Sequence, residues 1–267
     1  MRPCSGSGSA SGSGDDPFLS AGIYTKFLLS SLYEVGVLNI NFGLVWGCSA
    51  HSVLLPFFSR NMSRRRHLDC GVGTGFFLTH TLEALGADDD RDRDRDWEGD
   101  DDAPPISITL LDLNPNCLDT AAKSIQAAAA AAARKTRIEC VVADIRSPIP
   151  PALLSPPGAG GKRFDSISMF NLFHCVPGGR AKFDAIRIYK ALLADDGVLT
   201  GSTILGRRHA TGWFAPAYLT LYNWLGIFSN LDDTQADVAA VLEEEFTDAK
   251  TWTQGMVLMF RGKGPRR

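Results

Sequence analysis

Hydrophobic positions in this chain gather in short segments, separated by longer stretches with helical spacing. Ile106–Asp112 is mostly apolar, and Arg66–Cys70, Arg137–Val142, Phe164–Phe170 and Val198–Leu205 mix apolar with polar positions, each lying close to Gly, Pro, Asn or Asp. Such segments predict strands buried on both faces. Between them, Phe76–Gly86, the stretch from Pro115 through Ile125, Lys182–Leu193 and Asp232–Phe246 predict helices. Ala249–Thr253 and Met256–Arg261 predict a terminal strand pair joined by Gln254-Gly255. Ahead of the first strand, Phe18–Val35 reads as a helix and Leu38–Phe58 as a continuing apolar segment. Strands alternating with helices predict an α/β domain on a largely parallel sheet.

Two stretches break this rhythm. Asp88 to Asp102 holds ten acids and three arginines, a block that repels itself and predicts solvated loop. Asp112 lies 37 positions beyond Gly75. Setting aside the 17 residues 88–104 leaves 20, the usual distance between a glycine turn and a ribose-binding acid in a βαβ unit. The block therefore reads as an insertion between the first helix and the second strand, with docking to a basic partner as the alternative. Ala127 to Ala133 is an alanine tract, strongly helix-forming with little to pack, and is expected as a surface extension of the preceding helix. Residues 1–16, mostly Ser, Gly and Asp, predict a disordered tail. Residues 17–63 are expected as an N-terminal helical cap, 64–262 as the ligand-binding domain and 263–267 as a basic tail.

Composition narrows the classes. Hydrophobic residues make up 45% of the chain, enough for a folded core. A net charge of −3 lacks the basic footprint of a non-specific nucleic-acid binder. The six cysteines show no metal-ligand spacing, which predicts reduced thiols, no structural metal and an intracellular, cytoplasmic setting. No apolar run is long enough to predict a membrane span.

The candidate chemistry starts at Asp69-Cys70-Gly71-Val72-Gly73-Thr74-Gly75. A strand runs into a glycine turn and then a helix, whose N-terminal N–H groups suit an anionic ligand group. The spacing is G-x-G-x-G, one residue short of the G-x-G-x-x-G of dinucleotide folds. That spacing, and the lack of a Tyr-x-x-x-Lys pair, disfavour the alternative of an NAD(P)-binding oxidoreductase. Together with Leu111-Asp112-Leu113-Asn114-Pro115, Ala143-Asp144-Ile145 and Phe164-Asp165-Ser166-Ile167-Ser168-Met169, the turn resembles the motif set of class I S-adenosylmethionine (SAM) methyltransferases over roughly residues 64–262. Leu172-Phe173-His174-Cys175-Val176-Pro177-Gly178 and Gly201-Ser202-Thr203-Ile204-Leu205-Gly206 are similar to a small-molecule subgroup with members in fungal secondary-metabolite clusters.

The resemblance implies a Rossmann-like seven-stranded sheet, mostly parallel, with helices on both faces and an antiparallel last strand. It implies SAM as cofactor and O-methylation of a polyketide-like phenol or carboxylate. A catalytically silent fold serving as a binding module is the alternative. The residues it places at the cofactor are Asp69, Gly71, Gly73, Gly75, Asp112, Leu113, Asp144, Ile145 and Asn171. Asp112 would accept from the ribose hydroxyls, Asp144 from the adenine amino group, and Asp69 would carry its charge near the methionine ammonium or its hydration shell. No metal is implied. His174, just past the fourth strand, is the candidate base, with a packed histidine as the alternative. Arg207, Arg208 and His209 follow the fifth strand and suit either an acidic substrate or a solvated loop. The aromatic stretch from Trp213 to Phe228 fits a substrate lid or core packing equally.

Overall fold

The computed structural model describes residues 45–92, 104–154, 163–210 and 214–267. The expected N-terminal tail, the Phe18–Val35 helix, most of the acidic block and Trp213 lie outside the described residues.

The seven strands are β1 Arg66–Cys70, β2 Ile106–Asp112, β3 Thr136–Val142, β4 Phe164–Phe170, β5 Leu193–Ile204, β6 Phe246–Gln254 and β7 Val257–Pro265. They form one sheet in the order β3-β2-β1-β4-β5-β7-β6. Pairings from β3 through β5 are parallel, and β7 lies antiparallel between β5 and β6. This is the expected seven-stranded, mostly parallel sheet, and its order reverses between β1 and β4. In open α/β sheets ligands bind beside that reversal, at the carboxyl ends of the strands.

Helices α1 Leu55–Asn61, α2 Phe76–Asp92, α3 Pro115–Ala131 and α5 Phe214–Trp224 share one apolar layer. Helices α4 Asp184–Lys190 and α6 Gln235–Glu245 share the other. Local chemistry sets their starts. Asn114 caps α3 by accepting from the Asn116 N–H, with Pro115 in the first turn. Thr234 and Asp237 close a capping box on α6. Phe58 of α1 packs on Phe77 and Phe170 at ring distances of 5.3 and 5.1 Å and joins a continuous aromatic layer over the sheet. Each such buried ring contributes about 2–3 kcal/mol.

The fold corrects three expectations. The acidic run expected as loop from Asp88 begins inside α2, which ends at Asp92. The alanine tract is not wholly a surface feature, because Ala128 and Ala129 are buried against α2. Close approach explains their small size: a Cβ on Gly86 would lie 2.8 Å from the Ala132 methyl. The basic tail is not free either. Lys263 to Pro265 extend β7, the Arg266 N–H donates to the Glu245 carbonyl, and Arg267 donates to the Leu193 carbonyl at 2.8 Å. Among the described residues no helix is long and apolar enough to cross a membrane. No three metal-ligating side chains gather among them.

Candidate functional site

The four motifs meet at the carboxyl edge of the sheet. Gly71, Gly73 and Gly75 all adopt left-handed φ values, of 74°, 56° and 84°. L side chains are strained there, so a glycine at each position lets the turn close. The surroundings differ at each. A Cβ on Gly71 would strike Leu172 Cδ1 at 2.6 Å, and one on Gly75 would press on Ala121 Cα at 3.0 Å. A Cβ on Gly73 would meet nothing within 4 Å. Gly71 and Gly75 therefore fit the turn into the protein, while Gly73 faces open space where a ligand can approach the backbone.

Asp112 binds this turn to the end of β2. Its Oδ2 accepts from the Gly73 N–H at 3.2 Å and its Oδ1 from the Asn114 N–H at 2.9 Å. Burial pushes its carboxyl up from the ordinary range, and these backbone bonds partly offset that. Each carboxylate oxygen keeps a lone pair for further donors. Leu113 is 44% exposed beside it. The Ala143 N–H donates to the Asp112 carbonyl at 3.1 Å, which brings the end of β3 to the same edge.

Asp69, one residue before the end of β1, is 5% exposed and accepts from Ser168 Oγ at 2.5 Å. Burial pushes its carboxyl up to about 7, Ser168 opposes the shift, and the charge on Asp112 adds to it. Asp144 is engaged by a partner that sequence reading missed. Arg146 grips it through Nε at 3.1 Å and Nη2 at 2.6 Å, and its backbone N–H adds 2.9 Å. Burial raises the Asp144 carboxyl, but Arg146 outweighs it and the net shift is downward. Ile145 is buried beneath.

Asn171, just past β4, has φ 52°, a left-handed value uncommon for a non-glycine residue. Such strain concentrates at functional sites. Its backbone N–H donates to Ser202, and its Oδ1 accepts from Ser202 Oγ at 2.9 Å. Its buried Nδ2 has no partner.

His174 lies three residues beyond Asn171, in a short helical turn. It is 4% exposed, its ring lies 4.6 Å from Phe228, and its Nδ1 faces the Ile204 N–H at a long 3.5 Å. Burial, with Lys182 nearby, pushes its imidazole down to about 3. This is the setting of a packed, neutral ring, the alternative that the sequence left open beside a base. Next to it Lys182 Nζ, fully buried, pairs with Asp233 at 2.6 Å and donates to the Ser229 carbonyl at 2.7 Å.

Arg207 and Arg208 are exposed on a short turn after β5. The aromatic stretch divides. Tyr218 packs on Trp46 at 5.7 Å and Tyr222 on Phe228 at 5.0 Å, while Phe214 and Trp224 point outward.

Sequence reading also missed a polar strip on one buried face of β1 and β4, formed by His67, Asp69, Ser166 and Ser168. Its signal was present as period-2 polar positions within strands expected to be buried on both faces.

No family model matches the chain. O-methyltransferase NEC2 of Pyricularia oryzae is 45% identical over 261 residues, 92% of this chain and 92% of that protein. Methyltransferase ctvB of Aspergillus terreus is 36% identical, covering 91% and 94%. Among solved structures, the S-adenosylmethionine-dependent methyltransferase SibL in its apo form matches with a TM-score of 0.50 at 21% identity, over 80% of this chain and 54% of that one. The CMeT domain of the citrinin polyketide synthase matches with a TM-score of 0.50 at 16% identity, over 77% and 48%. This chain spans about half the length of these two structures, which share its fold. Identity this high along nearly the whole length of a curated methyltransferase makes the chain a member of the class I SAM-dependent methyltransferases.

Proposed function

We propose that this protein transfers the methyl group of SAM to an oxygen of a small polyketide-like molecule in secondary metabolism, either a phenol or a carboxylate. One observation carries the cofactor placement: Asp112 is hydrogen-bonded to the glycine turn at Gly73, the turn position that faces open space. The donor set fits the cofactor. Asp112 keeps lone pairs for two ribose hydroxyls, and backbone N–H groups of the turn suit a carboxylate. Asp69 suits an ammonium group, and the unpartnered Asn171 amide offers a buried donor at the same edge. Leu113, Asp144 and Ile145 would border the adenine.

Bound SAM supplies a methyl group already activated on a sulfonium. The chain then has to hold the cofactor still, align the acceptor oxygen and keep water out. His174, packed and neutral, is not set to take the acceptor's proton. The reading therefore favours acceptor oxygens that ionise unaided near neutral pH, such as a carboxylate or an acidic phenol. The oxygen assignment draws its support from the relative named as an O-methyltransferase.

Calorimetric titration with SAM tests the placement, with Asp112→Ala beside wild type. We expect saturable binding that the substitution weakens tenfold or more, about 1.4 kcal/mol. Radiolabelled methyl transfer to a panel of phenols and aryl carboxylates then tests the acceptor class. A folded wild-type protein that does not bind SAM overturns the reading.

A further inference from the structure

Two central strands carry four polar side chains on one buried face, and those side chains form a single hydrogen-bonded line. The Ser63 N–H donates to Ser166 Oγ at 2.7 Å. Ser166 Oγ lies 2.7 Å from His67 Nδ1, and His67 Nε2 lies 3.0 Å from Ser168 Oγ. Ser168 Oγ in turn reaches Asp69 Oδ1. The register explains the line, since His67 sits opposite Ser166 and Asp69 opposite Ser168. All four side chains are nearly inaccessible to solvent.

The direction of the protons follows from counting them. Ser166 Oγ accepts from Ser63, and donation to His67 Nδ1 is what gives its own proton an acceptor in the line. The imidazole then carries its proton on Nε2 and donates to Ser168, which donates to Asp69. Every proton in the line has an acceptor, and every bond points toward the carboxylate, so each polarises the next. In the reverse direction His67 Nδ1 would donate to Ser166, and the Ser166 proton would lose its acceptor within the line. The line therefore matches an ionised Asp69.

We propose that His67 is a positioning residue for the methyl-transfer reaction: acting through Ser168, it holds the Asp69 carboxylate charged and in one orientation for the ammonium group of SAM. This rests on the placement of Asp69 at the cofactor's methionine end. His67 itself touches no ligand. Burial and the Asp112 charge both work against an ionised Asp69, and the line opposes them. Asp112 is the charged group that faces Asp69 from β2; β4 presents Ser168, and α1 presents Phe58, whose ring packs on His67 at 5.6 Å.

The test compares His67→Phe with wild type and His67→Gln. Phenylalanine keeps the contact with Phe58 and removes both hydrogen bonds, whereas glutamine retains one acceptor and one donor. We expect His67→Phe to weaken SAM and S-adenosylhomocysteine about tenfold at pH 7, the scale of one charge-assisted hydrogen bond. The midpoint of the pH dependence of binding should move upward. His67→Gln should recover most of the affinity. Binding of 5′-methylthioadenosine, which lacks the ammonium, should be the same in all three proteins. Nitrogen-15 spectra of the SAM-bound wild type give a readout that needs no variant: His67 should be neutral with its proton on Nε2. A proton on Nδ1 overturns the proposal, as does equal weakening of all three ligands. Wild type that binds SAM, beside a His67→Phe variant of unchanged affinity and pH profile, overturns it while leaving the proposed function standing. Wild type that binds no SAM overturns both.

Discussion

His67 and His174 flank the same strand, are equally buried, and are both pushed down to about 3 by burial. One lies on β1 beside β4, the other just past the end of β4. Their surroundings differ. Both ring nitrogens of His67 have close serine partners in a line that ends on a carboxylate. His174 has one long contact to a backbone N–H, and Phe228 packs against its ring. Burial silences titration in both, so burial alone does not tell a working histidine from a packed one. The distinction lies in what the two nitrogens touch. The line from His67 ends on Asp69, two residues before the glycine turn, whereas the region around His174 is secured by an internal ion pair.

That difference predicts separable failures. The largest effect should come from Lys182→Met, which leaves Asp233 buried without its cation. A loss of about 3–5 kcal/mol in urea unfolding is expected, with SAM affinity unchanged in whatever fraction stays folded. A loss below about 1 kcal/mol would mean that the pair does not secure the His174 region.

Next in size is a pH effect centred on Asp69. Its folded carboxyl titrates near 7, above the ordinary value of 3.8, so between those values the folded state holds more protons than the unfolded chain. Asp69 therefore adds stability to the cofactor-free protein as pH falls from about 7, by at most about 1.4 kcal/mol per pH unit, while His67 and His174, held neutral down to about 3, remove stability below about 6.5, so the Asp69 share is read as the difference between wild type and Asp69→Asn. Asp233, raised to about 6 by burial despite Lys182, acts in the same direction at slightly lower pH. On the proposed placement SAM meets an ionised Asp69, so the stabilisation it adds should shrink over the same interval. Thermal unfolding at several pH values, with and without SAM, measures both. A cofactor increment independent of pH would separate Asp69 from the ligand.

The smallest effect belongs to His174→Phe. Losing one long hydrogen bond should cost about 1 kcal/mol or less, with SAM affinity and its pH dependence unmoved. If methyl transfer collapses while affinity and stability hold, His174 takes the acceptor's proton and the contrast between the two histidines is broken.

Much of the fold was legible because short β-prone segments alternate with helical ones, and β2 and β4 appear with their expected ends. Asp112 was legible because a strand-end acid after a glycine turn is a local pattern. The His67 line was not, because it depends on which residue of β4 faces which residue of β1, and strand register is not written in either segment alone. The sequence offered Lys182 only as the first residue of an expected helix. The segment opens instead as a tight turn over Gly179–Phe183, which directs the lysine inward to Asp233, distant in sequence. The alanine tract misled for a related reason: small residues suit a surface and a close helix crossing equally well.

Gly71 rests against the side chain of Leu172, immediately after Asn171. The floor of the glycine turn and the loop beyond β4 therefore share one contact. Anyone redesigning that loop to admit a bulkier acceptor inherits this constraint. Trimming Leu172 removes the support under the cofactor turn, and enlarging it lifts the turn.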